Sequence, residues 1–292
     1  MRLEDDGDRS NVEDRRGQGG GGWLGGRGVK LGLGGTVVVL ALSLLLGRDL
    51  FADLGAAPAG SPVSVPGPDP SPAQAERRVA AEKPLEQTAV ASFNDSQRAW
   101  SSAISRGGGA WRDAKLVLFW DETRSSCGEA GAEMGPFYCP VDEKVYIDLG
   151  FYRELATRFG APGEFAQAYV IAHEVGHHVQ HVLGIDGKVR ELQRRRPSER
   201  NELSVRMELQ ADCLAGVWAR TTQDRRLLDP GDVEAALGAA AAVGDDRLQR
   251  ATTGRVSPDS FTHGSAAQRT RWFRRGLDTG RLDACDTFAG TP

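Results

Sequence analysis

The chain has 292 residues, 40% hydrophobic and 26% charged, with 36 basic and 40 acidic side chains and a formal charge of −4. That length holds one large domain or two small ones plus tails, and the acidic balance excludes a broad basic surface for nucleic acid, so no nucleic-acid partner is expected. The 37 glycines crowd towards the N-terminus and describe a tail more than a core.

Residues 1–28 mix both charge signs, hold few large apolar side chains and end in a glycine-rich run. Such a segment cannot bury enough surface to offset the entropy of ordering, so a disordered cytoplasmic tail is expected. Residues 29–47 follow, uncharged from Leu31 to Gly47, at the short end of what spans a bilayer. Arg15, Arg16, Arg27 and Lys30 precede this run and favour an N-terminus inside the cell. The expectation is one transmembrane helix in the cell membrane, N-terminus cytoplasmic and folded domain extracytoplasmic. The alternative is a cleaved signal peptide, with Ala56–Ala59 as a loose cleavage site and a soluble secreted product. Residues 48–86, rich in Pro and Ala, read as a semi-extended linker.

The folded domain is expected over 87–288. Helical spacing covers 89–105, with Val90, Phe93, Trp100 and Ile104 near one face. Residues 115–120 and 141–148 read as strands, and 121–138 as a loop rich in Gly, Ser and Glu. A short helical pattern follows at 151–159, then longer ones at 163–183 and 198–221, and two more at 232–243 and 265–276.

The helix at 163–183 carries the chain's most informative stretch, His173-Glu174-x-x-His177. Residues four apart share a helical face, so two imidazoles can aim at one point. Neutral imidazoles suit zinc, and Glu174 can serve as general base for a water at the same place. Two histidines leave a catalytic zinc one protein ligand short. The metzincin solution is excluded, because Leu183 stands where its third histidine belongs and Gln180 replaces its glycine. A glutamate from a later helix is the other solution. In Glu208-x-x-x-Asp212 two acids share a face of a helix whose Leu209, Cys213, Leu214 and Val217 are apolar, and carboxylates beside a core face call for a cation. Glu208 is thus the expected third ligand of a single Zn2+ ion, with Glu202 a weaker rival. Asp212 is expected to accept a hydrogen bond from the far nitrogen of a ligating histidine.

This combination resembles the gluzincin metallopeptidases and, more narrowly, the bacterial putative neutral zinc metallopeptidase family. The resemblance extends to Asn11-Val-Glu-Asp-Arg-Arg16, Gly135-Pro-Phe-Tyr-Cys-Pro140, Val145-Tyr-Ile-Asp148, Ala172-His-Glu-Val-Gly-His-His-Val-Gln180, Glu208-Leu-Gln-Ala-Asp-Cys-Leu-Ala-Gly-Val-Trp218 and Phe261-Thr-His-Gly264. It implies a zincin-like α+β fold, mostly helical with a small sheet, and zinc-dependent hydrolysis of peptide or protein substrates. By the same resemblance the strand holding Tyr146 becomes an edge strand on which substrate adds. The alternative is a zinc-binding domain that recognises a protein partner without cleaving it.

His263 is the one histidine outside the motif helix and sits in a loop before a helix, where it is expected to steady an oxyanion. Tyr146 and Tyr169 are lesser candidates for that role. His178 and His181 read as structural or solvated. Four cysteines allow three pairings. Proximity favours Cys127–Cys139, which leaves Cys213–Cys285, and an extracytoplasmic domain permits both.

Overall fold

The structure, a computed structural model, describes residues 1–3, 5–17 and 71–290. In chain order its elements are β1 (Val12–Asp14), α1 (Pro72–Arg106), β2 (Lys115–Phe119), β3 (Glu122–Ser125), β4 (Gly128–Gly131), β5 (Phe137–Cys139), β6 (Lys144–Asp148), α2 (Gly150–Thr157), α3 (Glu164–Val182), α4 (Ile185–Arg195), α5 (Arg200–Asp224), α6 (Asp232–Ala242), α7 (Asp245–Thr253) and α8 (Ala266–Thr279). The result is an α+β domain, mostly helical with a small sheet. The expected membrane helix at 29–47 lies outside the described residues, and among those described no helix is long and apolar enough to cross a membrane.

Leu116, Val117, Leu118, Val145, Tyr146 and Ile147 are buried on both faces of the sheet, which suits central parallel strands. The strand order is β1-β2-β6-β5, with β1, β2 and β6 parallel and β5 antiparallel to β6. The stretch 121–138, expected as a loop, instead forms the β3–β4 hairpin and the edge strand β5. Helix α3 runs through the main core. Its Phe165 stacks on Trp218 of α5 at 5.8 Å between ring centroids, and Phe93 of α1 and Phe273 of α8 are fully buried in the same cluster.

Two sequence expectations need correction. The first seventeen residues do not form a free tail. Val12 to Asp14 pair with Leu116 to Leu118, and the Arg15 amide donates to the Leu118 carbonyl at 2.8 Å. The Arg16 guanidinium is fully buried, 2.7 Å from Glu86 Oε2 and 3.4 Å from Glu82 Oε2. Trp120 Nε1 also donates to Glu82 Oε2, at 2.8 Å. Helix α1 likewise begins at Pro72, well inside the expected linker. Pro72 occupies the first turn, where its missing N–H costs nothing, and the Ser71 amide donates to Gln74 Oε1 at 2.8 Å. The inner face of this early part of α1 is acidic. Glu82 and Glu86 turn inward to Arg16, so no apolar stripe marks the helix in sequence. Stripping Arg16 from these two carboxylates would cost about 3–5 kcal/mol.

Both cysteine pairs are bonded, Cys127–Cys139 and Cys213–Cys285. The second closes a loop of 72 residues, a constraint worth about 4 kcal/mol by chain entropy. It ties the C-terminal segment to α5, five residues beyond Glu208.

Helices α5 and α8 cross with their backbones in contact. A Cβ on Gly276 would lie 1.9 Å from the Cys213 carbonyl oxygen and 2.8 Å from the Val217 nitrogen, and one on Gly216 would lie 2.0 Å from the Phe273 oxygen. No side-chain rotation relieves a clash with backbone. Gly276→Ala is expected to lower unfolding free energy by about 3 kcal/mol or more, read by urea denaturation. Gly238→Ala on α6, where nothing lies within 4 Å of the added carbon, is the control and should be neutral or slightly stabilising.

Candidate metal centre

Helix α3 buries Tyr169, Ala172, Val175 and Val179 in the core, and this fixes where its polar residues emerge. His173 and His177 stand one turn apart, their ring centroids 4.8 Å from each other and their planes nearly perpendicular. Gly176 lies between them and faces α5. A Cβ there would sit 3.0 Å from the Ala211 oxygen and 3.2 Å from Ala211 Cα, so the missing side chain lets α5 approach closely. That approach sets Glu208 opposite the two histidines. Its Oε2 lies 3.2 Å from His173 Nε2 and its Oε1 3.4 Å from His177 Nε2. One donor atom from each residue falls within 4.8 Å of every other.

The two distances from Glu208 to the histidines suit zinc. Four ligands at zinc's usual 2.0–2.2 Å form a tetrahedron with edges of roughly 3.3–3.6 Å. The tautomers suit it too. Nδ1 of His173 lies 2.9 Å from Asp212 Oδ1, and Nδ1 of His177 lies 2.8 Å from Gln180 Oε1. The Gln180 amide group donates elsewhere, to the Met207 carbonyl at 2.8 Å and Gln210 Oε1 at 3.1 Å, so its oxygen faces His177 as an acceptor. With both Nδ1 atoms donating, both Nε2 lone pairs face Glu208.

Asp212 is completely buried and fully engaged. Besides His173 it accepts from Tyr169 Oη at 2.5 Å and from Arg269 Nε and Nη2 at 2.8 and 2.9 Å. Arg269, itself buried, cancels the Asp212 charge. Glu174 and Glu208 then carry the site's remaining negative charge, which a dication would balance. Burial raises the Glu174 carboxyl above its ordinary range, against the pull of His173 and His177. For Glu208 burial acts the same way, but His177, His263 and His173 outweigh it and hold this carboxyl well below its usual range. His173 is pushed up to about 10, because Asp212 and Glu208 overcome the desolvation that opposes its charge. A cation at this point would take the place of those protons.

The His263 loop is anchored by Asp245, whose Oδ2 accepts the backbone N–H groups of Thr262, His263 and Gly264 at 2.7, 2.7 and 3.0 Å. The Gly264 Cβ position lies 3.2 Å from Leu209 Cδ2 and 3.3 Å from Val205 Cγ1, so the loop rests on the turns of α5 around Glu208. About half of the His263 side chain is open, at 51%, and its Nδ1 lies 3.3 Å from Asp245 Oδ1. Desolvation opposes its charged form, but Glu208 and Asp245 raise its pKa.

Other candidates lie elsewhere. The Tyr146 strand is not an edge: β6 is flanked by β2 and β5. Tyr146 itself is fully buried, stacked on Phe137 with its hydroxyl on Asp142, so it cannot receive substrate, and the edge on the antiparallel side is β5. Tyr169 is buried with its hydroxyl committed to Asp212. Glu202 pairs with Arg206 and is 57% exposed. His178 is held between Tyr138 Oη at 2.8 Å and the Arg112 carbonyl at 2.6 Å. His181 lies between Asp186 at 2.9 Å and Glu143 at 3.3 Å.

Sequence reasoning passed over Arg269, Gln180 and Asp245. Arg269 had a readable signal, a lone arginine in the buried stripe of α8 that contains Ala266, Trp272 and Phe273. Gln180 is one turn past His177 on the same helix. Asp245 had none, since its role is to bind the backbone of a loop eighteen residues away.

The sequence profile of the family described as "Putative neutral zinc metallopeptidase" matches residues 1–288. The chain is 46% identical over 289 residues to "Uncharacterized protein YpfJ" of Escherichia coli (strain K12), covering 99% of each. It is 43% identical over 211 residues to "Uncharacterized protein Mb2605" of Mycobacterium bovis, covering 68% of this chain and 69% of the relative. No solved structure matches.

Proposed function

The chain belongs to the family described as putative neutral zinc metallopeptidase, and we propose that it hydrolyses peptide bonds with one zinc ion held by His173, His177 and Glu208. The observation that carries this reading is that the Glu208 carboxylate lies 3.2 Å from His173 Nε2 and 3.4 Å from His177 Nε2, with Glu174 on the same helix between the two histidines. Two histidines and one glutamate leave a fourth position open, the pattern of a catalytic rather than a structural zinc site.

Zinc bound there would acidify a water and polarise the scissile carbonyl. The protein's own groups do the rest. Glu174, almost buried and raised in pKa by that burial, takes the water's proton and delivers it to the departing amine. His263, raised in pKa and held by Asp245 over the Glu208 turns, donates towards the carbonyl oxygen as charge develops on it. Asp212 and Gln180 keep the two histidines in the binding tautomer. The edge strand β5, packed beside α3, is where an extended peptide adds.

The full-length protein, purified with its metal, is expected to cleave unfolded casein. A strong chelator should abolish cleavage and one equivalent of zinc should restore it. Cleavage that survives complete metal removal would contradict the proposal.

A further inference from the structure

The N-terminal segment and the domain are one fold, and this bears on how the chain meets a membrane. β1 is hydrogen-bonded along β2. Asn94 Nδ2 donates to the Asp8 carbonyl at 3.0 Å, Arg98 pairs with Asp6 at 2.6 Å, and Lys144 pairs with Glu13 at 2.8 Å. Arg16 is sealed between strand and helix by Glu82 and Glu86. The chain leaves this fold and re-enters it at one place: the Cβ position of Gly17 lies 3.3 Å from Ala75 Cβ in the first turn of α1 and 3.4 Å from the Trp120 ring.

Residues 18–70 connect these two points. They contain one uncharged run long enough for a bilayer crossing, Leu31–Gly47. The remainder, with Arg48, Asp49, Asp53 and Asp69 among prolines and glycines, holds no second run of that length. A single crossing delivers the two ends of a segment to opposite faces of a hydrocarbon layer about 30 Å thick. Ends that lie side by side in one fold require an even number of crossings, and the sequence has material for only one.

We infer that residues 1–17 and 71–290 occupy the same side of the membrane, so that the Leu31–Gly47 run does not carry one past the other. This replaces the expectation of a cytoplasmic N-terminus and an extracytoplasmic domain joined by a single pass. Two of the four basic residues behind that expectation, Arg15 and Arg16, have another use. Arg16 is the buried partner of two carboxylates, and Arg15 Nη1 donates to Thr123 Oγ1 and to the Arg124 carbonyl while its Nη2 pairs with Glu13. They belong to the fold's ion pairs and not to a cytoplasmic flank. The disulfides Cys127–Cys139 and Cys213–Cys285 place that common side in an oxidising, extracytoplasmic compartment.

The test uses the full chain expressed in a bacterium with two membranes, with one added cysteine at a time at exposed positions, Ser10→Cys in the N-terminal segment and Ser105→Cys at the end of α1. Spheroplasts are treated with a membrane-impermeant maleimide before and after lysis. Both positions should label fully before lysis. Labelling of one with protection of the other would overturn the inference. Protection of both until lysis would uphold the shared side and overturn its extracytoplasmic assignment. A second pair, Asp6→Cys with Arg98→Cys, should be joined by a short bis-maleimide in the membrane fraction. Failure to join would show the segment undocked and would overturn the inference as well.

Discussion

Glu174→Gln is expected to lower the rate of peptide cleavage by roughly 10²–10⁴-fold while the protein still binds one zinc ion with unchanged affinity. Glutamine has nearly the shape of glutamate, so the packing around this residue is kept, but it cannot take a proton. His173, His177 and Glu208 remain as they were, and so do the Asp212 and Gln180 bonds that orient the rings. A fall in kcat with little change in KM would locate the loss in the chemical step. Equal turnover by the two proteins would remove Glu174 from the chemistry. Absence of cleavage in both, with zinc bound, would support a zinc-binding domain that recognises a partner.

Asp212→Asn should damage both the metal site and the fold, by separate routes. Asp212 is the single acceptor shared by Tyr169, His173 and Arg269. Asparagine keeps the outline but is neutral, and its amide group would point N–H bonds at donors. His173 loses the partner that holds its tautomer, which typically weakens zinc binding 10–100-fold. Arg269 becomes a buried, uncompensated cation, at a cost of about 3–5 kcal/mol. The two losses separate in the double variant Asp212→Asn with Arg269→Met. Removing the orphaned charge should return much of the stability in urea, while zinc affinity measured against a competing chelator stays low. Recovery of both together would mean that Asp212 acts on the metal only through the fold.

The parts of the molecule legible in sequence are those written in local period. His173 and His177 at helical spacing, the apolar stripe of α5 around Glu208 and Asp212, and the buried runs of β2 and β6 all announce themselves within a few residues. What stayed hidden depends on a distant partner. The start of α1 looks like linker because its inward face is Glu82 and Glu86, and those become interior residues only when Arg16 arrives from far along the chain. β1 is three residues long and polar at two of them, a strand only because β2 offers it an edge. Tyr146 reads as a rim residue until β5 pairs outside it and moves the edge to Phe137–Cys139. Arg269 stands out in the apolar stripe of α8, but its partner appears only where α8 crosses α5 closely enough, at Gly216 and Gly276, to lay it against Asp212. Local composition describes a segment's own chemistry, and burial of an ion pair is a property of two segments at once.

The most direct measurement is zinc K-edge absorption on the purified full-length protein beside its Glu208→Ala variant. One ion per chain with two imidazole nitrogens and carboxylate and water oxygens at about 2.0–2.2 Å, reduced to weak or absent zinc in the variant, is the predicted result. Sulfur in the coordination shell, or an unchanged shell without Glu208, would contradict it.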